Sequence, residues 1–129
     1  CFANRYDAMQ IQIGERRMPI NVMMKNGISV VVPVVARLDA SHAENLRKSL
    51  KEALDSGSGN LVLDLESVNL VDSTILGVVV GAFRNLPADR HLVLCAVSEN
   101  VANLLHLTHL DRILNMYGSC EEALAILAP

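Results

Sequence analysis

The chain has 129 residues, 51% of them apolar and 19% charged, which suits one folded domain and argues against disorder. Its 11 basic and 14 acidic residues give a net charge of −3, with no basic excess to hold a nucleic-acid backbone. The aromatics are Phe2, Phe83, Tyr6 and Tyr117, with no Trp, so a base-stacking platform is not expected.

Residues 1–17 show no sustained periodicity and no hydrophobic signal region; Ile11 and Ile13 alternate with polar neighbours and permit one short strand. They read as an N-terminal extension, flexible or added, ahead of a domain spanning 18–129. Ile20-Asn21-Val22-Met23 then precedes Asn26-Gly27, a hairpin signal. The β-branched run from Ile28 to Ala36 predicts a strand, and Pro33 within it predicts an edge position or a bulge.

Ser41-His42-Ala43-Glu44 fits a capping box, with Ala43, Leu46, Leu50, Ala53 and Leu54 following at helical spacing. Glu44 and Lys48 are spaced for an i,i+4 pair. Ser56-Gly57-Ser58-Gly59 predicts a loop, and Leu61 to Leu65 a strand buried on both faces. Asp72, Ser73 and Thr74 are cap residues and predict a helix through Phe83. Gly77 and Gly81 share one face of that helix and would permit close approach by a neighbour. A strand is predicted over His91–Val97, then a helix capped by Ser98. A short strand over Ile113–Tyr117 follows, and a last helix opened by the box Ser119-Cys120-Glu121-Glu122. The alternation of strands and helices predicts an α/β layer with a mainly parallel sheet.

Enzyme constellations are lacking. Gly57-Ser58-Gly59 has no following Lys-Ser/Thr for a phosphate loop, and no Ser sits in a nucleophile elbow. His106 and His109 lack a Cys or carboxylate at ligand spacing; they read as helix-end histidines near Asp111. His42 reads as a solvated loop residue. Of Cys1, Cys95 and Cys120, Cys95 lies in an apolar run and reads as a buried, inert thiol. No catalytic residue, metal or cofactor is expected, and no uncharged run is long enough to span a bilayer. A cytoplasmic setting follows as an expectation.

The informative segment runs from Asp64 to Gly77. From the residues alone, Asp72 or Ser73 caps a helix, contributing about 1 kcal/mol. A second reading is also open. A hydroxyl in a helix's first turn is a favourable place for phosphate, because free N–H groups and the helix dipole both suit an anion.

Leu63-Asp64-Leu65 through Val71-Asp72-Ser73-Thr74-Ile75-Leu76-Gly77-Val78 resembles the signature of STAS domains, the anti-sigma factor antagonists. Ala36-Arg37-Leu38-Asp39 before Ser41-His42-Ala43 is similar to the family's turn before its first helix. Leu92 to Ser98 and Leu104 to Leu114 resemble its fourth strand and third helix. The resemblance covers about Ile20 to Leu127. Ile75 departs from the family's usual Gly, and a β-branched residue there restricts the backbone and crowds its neighbour.

The resemblance implies a small mixed β-sheet with about four helices packed mainly on one face. It implies an anti-sigma factor antagonist, a binding protein and not an enzyme. Its partners would be an anti-sigma factor with serine kinase activity and a phosphatase. The phosphate acceptor would be Thr74, with Ser73 as the alternate. Asp39, Asp72, Ser73, Thr74, Ile75 and Leu76 would form the contact face. A monomer or weak dimer is expected, without nucleic acid or direct membrane insertion. Two other roles stay open: a non-catalytic subunit of a lipid-trafficking ABC transporter, or a scaffold in a stress-signalling assembly.

Overall fold

The computed structural model describes residues 19–56 and 59–128. The strand suggested around Ile11 and the loop residues Gly57 and Ser58 lie outside that range.

The first two strands, β1 (Ile20–Lys25) and β2 (Ile28–Pro33), form an antiparallel hairpin. Asn26 and Gly27 both take positive φ, 54° and 81°, as a two-residue turn matched to strand twist requires. Pro33 corrects the expectation of an edge or bulge. It ends β2, which is flanked by β1 and by β4 (Leu61–Asp64). The Val34 N–H donates to the Pro19 carbonyl, 2.7 Å, on the β1 side. Alternation therefore aims the Pro33 nitrogen towards β4, where the ladder has already ended at Val31↔Leu63. The missing donor breaks no bond.

After β2 the chain leaves the sheet. The predicted single strand to Ala36 instead gives way to a two-residue strand, β3 (Arg37–Leu38). A 3₁₀ turn over Ala40–His42 leads into α1 (Ala43–Ser56). Beyond β4, β5 (Leu70–Val71) pairs in parallel with β3, and α2 (Ser73–Arg84) follows. β6 (Leu92–Cys95), α3 (Glu99–Leu107), β7 (Met116–Tyr117) and α4 (Cys120–Leu127) complete the order. The main sheet runs β1-β2-β4-β6-β7, parallel throughout except for β1.

Alternate residues of each strand serve opposite faces. Val31, Leu61, Leu63, Leu92 and Leu94 meet Leu46, Leu50, Ile75, Val79, Val101 and Leu105 from α1, α2 and α3. Val30, Val32, Val62, Val93 and Cys95 meet Cys120, Ala123 and Leu124 from α4. Three helices thus cover one face and one helix the other. Leu61 to Leu65 is buried throughout, as its continuous apolar run predicts.

Three local expectations are corrected. Asp39, not Ser41, caps the first helical turn, accepting the Ser41 N–H at 3.1 Å. Glu44 pairs with Arg47, one residue nearer than Lys48. Gly77 and Gly81 admit no neighbour: a Cβ at either would meet nothing within 4 Å. The other caps fall where predicted, with Asp72, Ser98 and Ser119 each accepting an N–H three residues on.

Candidate functional site

The turn before α1 and the start of α2 are clamped together. β3 and β5 pair Arg37 with Leu70 and Leu38 with Val71. The Ala36 carbonyl accepts from both Asn69 and Leu70 N–H, at 2.7 and 3.1 Å. Asp72 then works in two directions. Its Oδ1 accepts the Ile75 N–H at 3.0 Å and caps α2; its Oδ2 accepts the Ala40 N–H at 2.9 Å across the turn. A short acceptor side chain is needed for both, because only the cap position reaches its own helix and the neighbouring turn together.

Asp39 organises the facing turn. Its Oδ1 accepts from the Ser41 hydroxyl at 2.5 Å and from the Ser41 N–H. These two bonds, the hydroxyl first, hold the Asp39 carboxyl below the usual carboxylate range, with the Arg37 charge adding to the effect. His42 Nδ1 accepts the Asp39 N–H at 3.5 Å. A nitrogen accepting in this way offers no proton to Asp39 Oδ1, 3.4 Å away, so that approach is not an ion pair in this tautomer.

On α2, Ser73 and Thr74 are exposed, whereas Ile75 is 1% and Leu76 8% exposed. The structure thus corrects the expectation that Ile75 and Leu76 form a contact face: both pack in the core. Helical spacing turns Ile75 inward and Thr74 outward, so the branched side chain does not crowd the Thr74 hydroxyl. It anchors the first turn instead. Leu76 N–H makes the helix's first internal bond, to the Asp72 carbonyl at 3.1 Å. Among the described residues, no backbone carbonyl accepts from Ser73 or Thr74 N–H, the ordinary state of a helix's first donors.

Asp39, Asp72, Ser73 and Thr74 therefore share one surface at the carboxyl ends of the parallel strands. The sequence did not single out Asn69, which extends this surface. Its carbonyl accepts from the Ser98 hydroxyl at 3.2 Å and its side-chain oxygen from Asn100 Nδ2 at 3.2 Å. Leu70, beside it, is an exposed apolar residue. Thr74 also stands at one end of a cavity of about 600 Å³ between α1 and α2, bounded by Leu50, Leu54, Val78 and Ala82. The bare backbone of Gly77 and Gly81 keeps that groove open.

His106 and Asp111 meet at 2.9 Å at the end of α3, as the helix-end reading predicts. No helix among the described residues is long and apolar enough to cross a membrane.

The STAS domain model matches residues 19–123. The chain belongs to the STAS domain family. A Thermotoga maritima protein assigned as an anti-sigma factor antagonist is 34% identical over 74 residues, covering 57% of this chain and 66% of its own length. The anti-sigma-B factor antagonist of Staphylococcus aureus is 29% identical over 91 residues, 70% of this chain and 84% of that protein. The structure of an anti-sigma-factor antagonist (STAS) domain protein from Planctomyces limnophilus superposes with a TM-score of 0.78. It is 25% identical, covering 85% of this chain and 98% of that one. The likeness to that structure extends over most of the fold described above.

Proposed function

We propose that this chain is an anti-sigma factor antagonist, and that its binding is switched by phosphorylation at the start of α2. The surface holding Asp39, Asp72, Ser73 and Thr74 would receive an anti-sigma factor with kinase activity. Thr74 would take the phosphate, with Ser73 as the alternate acceptor, and a phosphatase would reverse the change. The names of the relatives support the class of partner. The observation that carries the switch is the exposed Thr74 hydroxyl in the first helical turn, on a segment whose backbone Asp72 holds from both sides.

The mechanism is electrostatic. A phosphate adds a charge of about −1.5 to −2 at neutral pH. Open N–H groups and the helix dipole tolerate that charge, so the domain stays folded. A partner that has desolvated the uncharged surface meets a like-charged or unsolvated group instead.

A pull-down from the native cell, with phosphopeptide mapping of the bait, tests the reading. A switch kinase in the eluate and phosphate on Thr74 are expected. Thr74→Glu should weaken binding of that kinase, whereas Thr74→Ala should bind and stay unmodified. Equal binding by Thr74→Glu and wild type would refute the charge mechanism. Capture of a permease and an ATPase, with Thr74 unmodified, would assign the surface to a transporter.

A further inference from the structure

Three ligand-type side chains meet on the α4 face of the sheet, away from Thr74. Asp64 ends β4, Cys95 ends β6, and Cys120 opens α4. The parallel register sets Asp64 directly beside Cys95. A carboxylate oxygen and the two sulfurs all lie within 4.8 Å of one another. Asp64 is 1%, Cys95 0% and Cys120 4% exposed.

This is a costly place for an acid. Burial pushes the Asp64 carboxyl up, and the Glu121 charge adds to the rise. The Glu66 N–H, 3.1 Å from Oδ1, and the two thiols offset part of it. No cationic side chain contributes among the described residues. The bond to Cys120, then burial and the neighbouring Asp64, likewise push the Cys95 thiol up. A buried carboxyl group and two thiols thus face one another, with no cationic side chain among the described residues to accompany them.

We propose that Asp64, Cys95 and Cys120 bind one thiophilic divalent cation of the Zn²⁺ kind, which ties α4 to β4 and β6. Two sulfurs and an oxygen suit Zn²⁺ and do not suit the hard cations Mg²⁺ and Ca²⁺. Tetrahedral Zn–S bonds of about 2.3 Å place two sulfurs about 3.8 Å apart, inside the observed spread. Binding expels the thiol protons and supplies the charge that the buried carboxylate lacks. The three protein ligands leave a fourth position to water. The ligands sit at the ends of two adjacent strands and at a capped helix start, so little ordering remains to be done on binding. The consequence is mechanical, since α4 is the helix that covers this face of the sheet.

The test uses the full chain with Cys1→Ser, which removes the remaining thiol, reduced and stripped with a chelator. One Co²⁺ per chain is expected, with sulfur-to-cobalt charge-transfer absorption that Zn²⁺ abolishes. Zn²⁺ should raise the melting temperature progressively with concentration. Cys120→Ala, folded by circular dichroism, should lose both effects, and Cys95→Ala should do the same. Asp64→Asn should keep the charge-transfer band but bind at least about tenfold more weakly. Absence of the band in the parent chain would overturn the proposal. So would an equal Zn²⁺ shift in the chain lacking both Cys95 and Cys120, or a Cys95–Cys120 disulfide in freshly isolated protein.

Discussion

Asp72 carries two structural duties on one carboxylate, which makes it the residue whose loss is felt furthest. Removing a cap acceptor costs about 1–2 kcal/mol, and here the Ala40 N–H loses its partner as well. Asp72→Ala should therefore destabilise the domain by about 2 kcal/mol in urea unfolding. Asp72→Asn should recover most of the loss, since the amide oxygen still caps. Asp39 gives a pH signature. Its pKa is lowered on folding, so its stabilisation is present above the unfolded-state pKa and disappears as pH falls through the lower folded value. Carboxyl NMR titration should place Asp39 below an ordinary aspartate, and Ser41→Ala should move it back up. Sequence pattern chose Ser41 as the cap because Ser-x-x-Glu fits the capping box. Asp39 stands two residues earlier and has the stronger acceptor, and its contacts are visible only once the turn is folded. Asp72, by contrast, was legible because its cap bond is local; its bond to Ala40, 32 residues away, was not.

The glycines separate helix propensity from packing. Gly77 and Gly81 lie within α2, and a methyl group at either would enter open space. Gly77→Ala and Gly81→Ala should each stabilise the domain by about 0.5–1 kcal/mol, because alanine loses less backbone freedom in a helix. Gly59 is the opposite case. A Cβ there would lie 2.1 Å from the Gly27 carbonyl oxygen, so the hairpin turn must shift. Gly59→Ala should destabilise by about 1–3 kcal/mol, the usual range for overpacking. Melting curves of the three variants check both signs. From sequence, the glycine pair on α2 suggested a close neighbour, because small residues on one face often mark one. The face instead borders the groove beneath Thr74. The long, periodic α1 was legible from its apolar spacing. The two-residue strands β3 and β5 were not, since two residues carry no periodicity and their pairing spans 33 positions (Arg37 with Leu70).

For the molecule as a whole, the alternating apolar runs were enough to indicate a parallel sheet, and the Asp72-Ser73-Thr74 segment to indicate a capped helix start. The cluster of Asp64, Cys95 and Cys120 was not legible. Its members belong to three elements and share no motif spacing; only the register of β4 with β6, and the seat of α4 across them, brings them together. The same topology bears on residues 1–17. The buried residues of the two cores run from Ile20 to Leu124, and each sheet face is already closed by helices that follow β2 in sequence. A segment preceding β1 is therefore not needed to complete either core. Deleting residues 1–17 should shift the melting temperature by less than about 2 °C, which corresponds to well under 1 kcal/mol for a domain of this size. A larger fall would mean that the segment buries apolar surface on the domain.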